Sequence, residues 1–175
     1  MHSLNRRVER ILASLAGLSM ALVFSIIFIN ALRRYTIGKS LPWGEELPIY
    51  LTIYGVMFGL ALAYMQDRHI RFTLVTDMLS EGARERLFLL VDLVTALAGV
   101  GLMLAGHAFA TRRGHIDSSG LKSAAGWLRD TTGVEALVWV GKTGTWQYAL
   151  AIGGALLCLA ALLKFAERLS ALRSA

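Results

Sequence analysis

Four long apolar runs, separated by polar connections, dominate the hydropathy pattern of the chain. They cover residues 11–32, 47–65, 87–111 and 146–163. Each run is about 18 to 25 residues long, and a helix that rises 1.5 Å per residue crosses the hydrocarbon core of a membrane in about 20 residues. The pattern therefore predicts an all-α integral membrane protein, with one domain of four transmembrane helices.

The three connections between these predicted spans differ in character. Residues 35–43 contain glycine, serine and proline, which predicts a turn. After the second span, Ile70, Leu74 and Met78 recur at helical spacing, so we expect a short interfacial helix on the membrane surface. The third connection, residues 112–145, is the longest and is rich in glycine and serine, and its sequence predicts no particular fold.

The composition agrees with a membrane protein, since 55% of the residues are hydrophobic and 17% are charged. The net charge of +6 comes from Lys and Arg that lie between or beside the spans, so we interpret it as topological and expect no nucleic-acid partner. With the N-terminus in the cytoplasm, ten of the 18 basic residues fall on that side. Five of the other eight lie in the long third connection, which has less weight in the positive-inside rule. The charges therefore favour cytoplasmic termini.

The start of the chain has the basic-then-apolar order of a signal peptide. Its apolar run is too long for a signal core and ends at Arg33 and Arg34 with no suitable cleavage site before them, so we expect an uncleaved first membrane helix. The single cysteine, Cys158, rules out an internal disulfide and a CxxC pair in this sequence. We expect no cofactor and no metal site.

The most specific part of the sequence is residues 30–70, which join the first two spans. Glu45 and Glu46 fall in the first turn of the second span, where the helix dipole favours acidic side chains. Arg33 and Arg34 end the first span, where the dipole favours basic ones. Because only a short connection separates the two groups, we expect these charges to pair with one another or with a partner subunit.

Four other residues of this region predict contacts at the membrane surface or between helices. Tyr35 and Trp43 suit the belt of aromatic side chains at the membrane boundary. Gly55 and Gly59 form a GxxxG pattern, which allows a second helix backbone to come close. We therefore expect a close helix contact on the second span.

Asp92 is the only acid inside a predicted span. An acid in a membrane helix is a candidate for ion coupling or for a polar contact between helices. Asp92 lies near the start of the third span, so we favour a structural or interfacial role. His107 is fifteen residues further along, about 22 Å on a helix, so the two do not form a dyad. The other histidines lie outside the spans, which argues against a b-type haem.

A group of residues around the second span resembles a known family. They are Arg34-Tyr35, Ser40-Leu41, Trp43, Glu45-Glu46-Leu47, Gly59 with Ala61, and His69-Ile70. This motif, together with the four spans, is similar to the DctQ-like small membrane subunit of tripartite ATP-independent periplasmic (TRAP) transporters.

The resemblance implies a scaffold in the bacterial inner membrane, with both termini in the cytoplasm, that anchors a much larger multi-span permease subunit. In the family the large subunit holds the substrate and sodium sites, and a periplasmic substrate-binding protein delivers the solute. It therefore implies no enzymatic activity, but a role in sodium-coupled uptake of an organic acid. The expected partners are these two proteins and membrane lipids, and the sodium sites are expected in the large subunit.

The resemblance also suggests which residues meet a partner. Candidates for the partner interface or its motif are Arg34, Tyr35, Trp43, Glu45, Glu46, Gly55, Gly59 and His69, and Asp92 is a candidate for a polar contact inside the membrane. No catalytic or substrate-binding residue is expected in this subunit.

Two other functions stay open. The first is a self-contained oligomeric four-helix transporter that uses Asp92 as a proton-linked acid, although small exporters of that kind carry an acid in the first span and this chain has none there. The second is a membrane enzyme, such as a quinone-linked redox protein. The sequence offers it no paired cysteines, no paired intramembrane histidines and no carboxylate cluster.

Overall fold

Five α-helices and two short 3-10 helices make up the part of the chain that the structure, a computed structural model, describes: residues 2–67 and 79–174. The α-helices are α1 His2–Ile37, α2 Glu46–Met65, α3 Glu81–Arg112, α4 Leu121–Thr132 and α5 Thr143–Ser174, and the 3-10 helices are Pro42–Gly44 and Glu135–Gly141. No strand occurs in these residue ranges, and α1, α2, α3 and α5 are long and apolar enough to cross a membrane. The predicted all-α membrane fold is confirmed.

The membrane helices extend beyond the apolar runs that predict them. The longest, α1, has 36 residues, or about 54 Å at 1.5 Å per residue, whereas a hydrocarbon core is about 30 Å thick. Polar first and last turns therefore continue the helices outside the core, where water satisfies their side chains. The interfacial helix predicted around Ile70, Leu74 and Met78 lies outside the described residues.

The four long helices pack in the spatial order α1, α2, α5, α3. The two inner helices bury more of their surface: in the most apolar stretch, 28% of α2 and 39% of α5 is buried, against 11% of α1 and 17% of α3. Near the two ends of the chain, the Asn5 side chain of α1 donates a hydrogen bond to Glu167 of α5. Both ends of the chain therefore lie at one end of the bundle, which we call the terminal end.

Small residues allow α3 and α5 to touch backbone to backbone. A Cβ atom at Gly106 of α3 would lie 2.5 Å from the Ala151 nitrogen, and one at Gly154 of α5 would lie 2.5 Å from the Met103 nitrogen. Such distances are far below van der Waals contact, so any larger residue at these positions would force the two helices apart. Close approach of this kind replaces the hydrophobic effect as the source of helix association in a membrane.

The third connection is folded. We call residues 113–142 the cap, and the end of the bundle that carries it the cap end. Helix α4 packs on the second 3-10 helix, and Gly133, in the left-handed conformation with φ of 70°, ends α4. Asp117 bridges Lys122 at 2.7 Å and Lys142 at 2.6 Å. Their hydrogen bonds lower the pKa of the Asp117 carboxyl to about 2, so it stays charged at physiological pH.

Candidate partner interface

Glu46, in the first turn of α2, fastens the start of that helix to the cap. Its Oε2 atom accepts hydrogen bonds from Ser118 Oγ at 2.6 Å and from the Gly120 backbone nitrogen at 2.8 Å. Its Oε1 atom accepts one from the Tyr50 hydroxyl at 3.0 Å. Bonds to a charged acceptor are stronger than neutral ones. Glu46 is therefore satisfied by the chain itself.

The turn between α1 and α2 is held from two sides. On one side, the Asn30 side-chain oxygen accepts a hydrogen bond from the Leu41 nitrogen at 2.7 Å, and Gly44 lies so close that a Cβ atom there would be 2.8 Å from Asn30 Cγ. On the other side, a Cβ atom at Gly120 would collide with the Pro42 carbonyl oxygen. These contacts fix the backbone that precedes α2, and with it the direction of Glu45.

A groove of about 440 Å³ lies between α1 and α2 near the cap end. Its lining is mostly apolar, and its polar members are Asn30, Arg34, Glu45 and Thr52. Arg34 and Glu45 are both exposed, and neither forms an ion pair among the described residues. The groove thus carries two opposite charges that no described residue neutralises.

The pairing expected between the two arginines that end α1 and the two acids that begin α2 is not found. In the described part of the chain, neither Arg33 nor Arg34 bridges Glu45 or Glu46. The physical reason is the cap, which supplies Glu46 with neutral donors at hydrogen-bonding distance. Of the two pairings predicted for these charges, the one within the chain is therefore not found among the described residues, and pairing with a partner subunit stays a prediction.

One face of α2 continues from the groove along the helix. Glu45, Ile49, Thr52, Val56 and Gly59 follow one another at spacings of four, three, four and three residues. Ile49 is 60% exposed and Val56 is 56% exposed, and a Cβ atom at Gly59 would meet nothing within 4 Å. This spacing is the heptad pattern along which two helices interlock. We call these five residues the α2 seam.

The two glycines of the GxxxG pattern point in different directions. A Cβ atom at Gly55 would lie 3.1 Å from Ser19 Cβ and would collide with the end of the Met20 side chain, so Gly55 provides a close contact between α2 and α1. Gly59 faces open space. The pattern therefore serves one contact inside the chain and leaves its second glycine on the outer face.

The remaining predicted interface residues are Tyr35, Trp43 and His69. Tyr35 is 83% exposed, next to Arg34, whose guanidinium lies 5.9 Å from the centre of the Tyr35 ring. Trp43 is half-buried in the first 3-10 helix. His69 lies outside the described residues.

Asp92 is buried inside the helix bundle. It is fully buried, and its Oδ1 atom accepts hydrogen bonds from the Tyr64 hydroxyl at 2.6 Å and from Arg168 Nη1 at 2.7 Å. Its Oδ2 atom has no hydrogen-bond partner among the described residues. Arg168 also donates to the Phe88 carbonyl oxygen at 3.3 Å and stacks over the Phe88 ring. Asp92 therefore makes a polar contact that joins α2, α3 and α5.

A wider group of charges surrounds this contact at the terminal end. Asp67, just after α2, accepts from Arg168 Nη2 at 2.6 Å and pairs with Lys164 at 2.6 Å. Asp67 has a φ of 54°, a left-handed conformation that aspartate tolerates better than most residues. Lys164 also lies 3.4 Å from Glu167, which binds Asn5 of α1. This terminal cluster links all four membrane helices.

The hydrogen-bond partners of Glu46 and Asp92 were not predicted from the sequence. Ser118 and Gly120 lie in a connection that hydropathy does not resolve. Arg168 lies beyond the fourth apolar run, where a basic residue is expected for topological reasons alone. A usable signal is present, since Lys164 and Arg168 are four residues apart and share one face of a helix that ends near a buried acid.

We expect Glu46→Gln to loosen the cap, because it replaces a charged acceptor with a neutral amide. Hydrogen bonds to charged groups contribute about 1.5–3 kcal/mol each. Hydrogen–deuterium exchange of the purified subunit should therefore speed up at the Gly120 amide, which donates to Glu46. The control is Glu45→Gln, which removes the neighbouring charge without removing a hydrogen bond, and equal exchange in both variants would contradict this role.

Comparison with known proteins places the chain in a family. The family model described as "Tripartite ATP-independent periplasmic transporters, DctQ component" matches residues 23–171, which include the groove, the α2 seam and the cap. This match covers most of the chain.

Three curated relatives are also similar to the chain. The sialic acid TRAP transporter small permease protein SiaQ of Vibrio cholerae serotype O1 is 24% identical over 62% of this chain and 63% of that protein. The ectoine TRAP transporter small permease protein TeaB of Halomonas elongata is 28% identical over 55% of this chain and 50% of that protein. A putative TRAP transporter small permease protein of Haemophilus influenzae is 25% identical over 53% and 55%, respectively.

The matched regions thus span about half to two thirds of the relatives' own lengths. Four apolar helices and this family together indicate a multi-pass protein of the inner membrane. The chain belongs to the DctQ family, and it is a small permease subunit of a TRAP transporter.

Proposed function

We propose that this subunit is a scaffold that anchors the large multi-span permease subunit of its transporter. In this proposal the large subunit carries out sodium-coupled uptake of an organic acid, which a periplasmic binding protein delivers. The small subunit has no enzymatic role. The observation that carries the proposal is the α2 seam together with Arg34. Arg34 and the first four seam residues are exposed, a Cβ atom at Gly59 would meet nothing within 4 Å, and no described residue forms an ion pair with Arg34 or Glu45.

The motif residues divide into two groups, and this division supports the proposal. Glu46 and Gly55 contact other parts of the chain. Arg34, Glu45 and Gly59 face outward on one side of the bundle. Because small residues on an apolar helix face allow another helix to approach closely, this side is suited to a helical partner.

The nature of the solute and the position of the ion sites are part of the proposal. Two relatives are named for sialic acid and for ectoine, and both of these solutes carry a carboxylate. Asp92, the acid inside a span, is fully buried and bonded to Arg168, so it is not open to a solute. We therefore assign the solute and sodium sites to the large subunit.

We further propose that both termini are cytoplasmic. The contact between Asn5 and Glu167 brings the two ends of the chain to the same end of the bundle, and the basic residues favour the cytoplasm for that end. The cap then faces the periplasm, within reach of a substrate-binding protein. Membrane lipids cover the exposed apolar sides of α1 and α3.

Substitution of an open glycine tests the scaffold proposal. We expect Gly59→Leu to reduce recovery of the large subunit with a tagged small subunit at least tenfold, because the new side chain occupies the space that a partner helix needs. Solute uptake by the complex should fall in proportion. The matched control is Gly101→Leu on α3, a glycine that also has nothing within 4 Å of a Cβ atom.

Two outcomes would contradict the proposal, the first its placement of the interface and the second the scaffold role itself. One is unchanged recovery of the large subunit with Gly59→Leu while Gly101→Leu abolishes it, which would place the interface on α3 instead of the α2 seam. The other is a stable homo-oligomer of this chain that transports solute without the large subunit. The second result would favour the alternative, a proton-coupled transporter that uses Asp92, whose Oδ2 atom accepts no hydrogen bond from the part of the chain that the structure describes.

A further inference from the structure

Building on the proposed function, we infer that the groove between α1 and α2 receives one helix of the large subunit, which presents an acidic side chain to Arg34 and a basic side chain to Glu45. The inference goes beyond anchoring, because it specifies the shape and the charge order of the partner surface. It rests on the groove, on the α2 seam and on the two charges that line the groove.

The spacing of the exposed residues fits a single helix. On α2 the seam repeats every 3.5 residues, and on α1 the groove-lining residues Ile27, Ala31 and Arg34 follow at spacings of four and three. Residues with this repeat stay in register with a partner that crosses at about 20° in a left-handed sense. One row lies on each wall of the groove, so a single helix can pack against both rows at once.

The two charges distinguish the cap end of the groove from its other end. Arg34 ends the row on α1, and Glu45 begins the row on α2, so both lie at the cap end of the same groove. A helix that docks there removes water from both side chains, and an unpaired charge is costly to bury. The partner must therefore supply the opposite charge at each position. A helix that carries a basic residue opposite Arg34 or an acidic residue opposite Glu45 would be repelled, so the two charges also select against wrong partners.

A phospholipid is an alternative occupant of the groove, because its phosphate would face Arg34 and its ammonium group would face Glu45. The α2 seam argues for a helix instead, because it continues beyond the groove to Gly59, where a Cβ atom would meet nothing. A flexible acyl chain does not need a glycine for close approach, whereas a helix backbone does.

Charge reversal in the coexpressed complex tests the inference. We expect Arg34→Glu and Glu45→Arg each to lower recovery of the large subunit about tenfold. The double variant should recover no better than either single variant, because both of its charges then face like charges on the partner. Lys39→Glu is the control, since it makes the same change of charge on an exposed residue of the same connection that does not line the groove.

Three results would overturn the inference. If the double variant restores recovery, Arg34 and Glu45 pair with each other. If both single variants assemble normally while Gly59→Leu does not, the scaffold proposal stands and the charge order is wrong. If the single variants assemble normally but lose bound phosphatidylethanolamine, measured by native mass spectrometry, the groove holds a lipid. Restoration of Arg34→Glu by a charge reversal at the end of a large-subunit helix would establish the pair.

Discussion

Arg168→Leu is expected to destabilise the isolated subunit by about 3–5 kcal/mol, the usual cost of removing one partner from a buried ion pair. The carboxylate of Asp92 is fully buried and would keep only the hydroxyl of Tyr64 as a partner. Asp67 would keep Lys164 at 2.6 Å, so the effect reports mainly on Asp92. The midpoint of thermal unfolding in detergent should fall clearly. The control is Arg86→Leu, which removes an exposed arginine of the same bundle and should leave the midpoint nearly unchanged.

The double variant Asp92→Leu with Arg168→Leu separates a structural role from a transport role. Replacement of a buried ion pair by apolar residues is often neutral or stabilising, so the double variant should unfold at a higher temperature than Arg168→Leu alone. It should also support uptake in the assembled complex. Loss of uptake in a stable double variant would instead assign Asp92 a role in proton coupling, and equal midpoints for Arg168→Leu and Arg86→Leu would contradict the structural role.

Gly154→Ala is expected to destabilise the contact between α3 and α5, although alanine is the better helix former. The added Cβ atom would lie 2.5 Å from the Met103 nitrogen and 2.7 Å from the Gly99 carbonyl oxygen. Both atoms belong to the backbone, so relief requires the helices to move apart. Overpacking of this kind costs about 1–3 kcal/mol, and the unfolding midpoint should fall accordingly.

Gly101→Ala is expected to raise the unfolding midpoint. Gly101 lies on α3, and a Cβ atom there would meet nothing within 4 Å. Here alanine should stabilise the helix by up to about 1 kcal/mol, the difference in helix propensity between the two residues. A fall of the midpoint in both variants would show that general loss of glycine, rather than the helix contact, causes the effect. A rise in both would show that α3 and α5 do not touch at Gly154.

The hydropathy pattern was sufficient to predict the four membrane helices, because apolar length alone determines whether a helix crosses the membrane. It was not sufficient to predict which side of each helix meets a neighbour. Gly55 and Gly59 illustrate the difference: both belong to one motif, but only the first meets α1. The rotation of a helix about its axis depends on the packing of all its neighbours, and a local pattern does not contain that information.

The two adjacent acids at the start of α2 show the same limit for the candidate interface. The helix dipole favours an acidic side chain at both Glu45 and Glu46, since both lie at the start of α2. The structure gives them different ones, because neighbouring residues on a helix are about 100° apart. Glu46 meets donors of the cap, which lie more than 70 residues away in sequence. No local rule anticipates a partner at that separation.

The helix order α1, α2, α5, α3 gives the subunit a long perimeter for its mass. The two outer helices, α1 and α3, are largely unburied by the rest of the described chain. In the proposed role as a scaffold, the subunit would therefore widen the footprint of the transporter in the plane of the membrane.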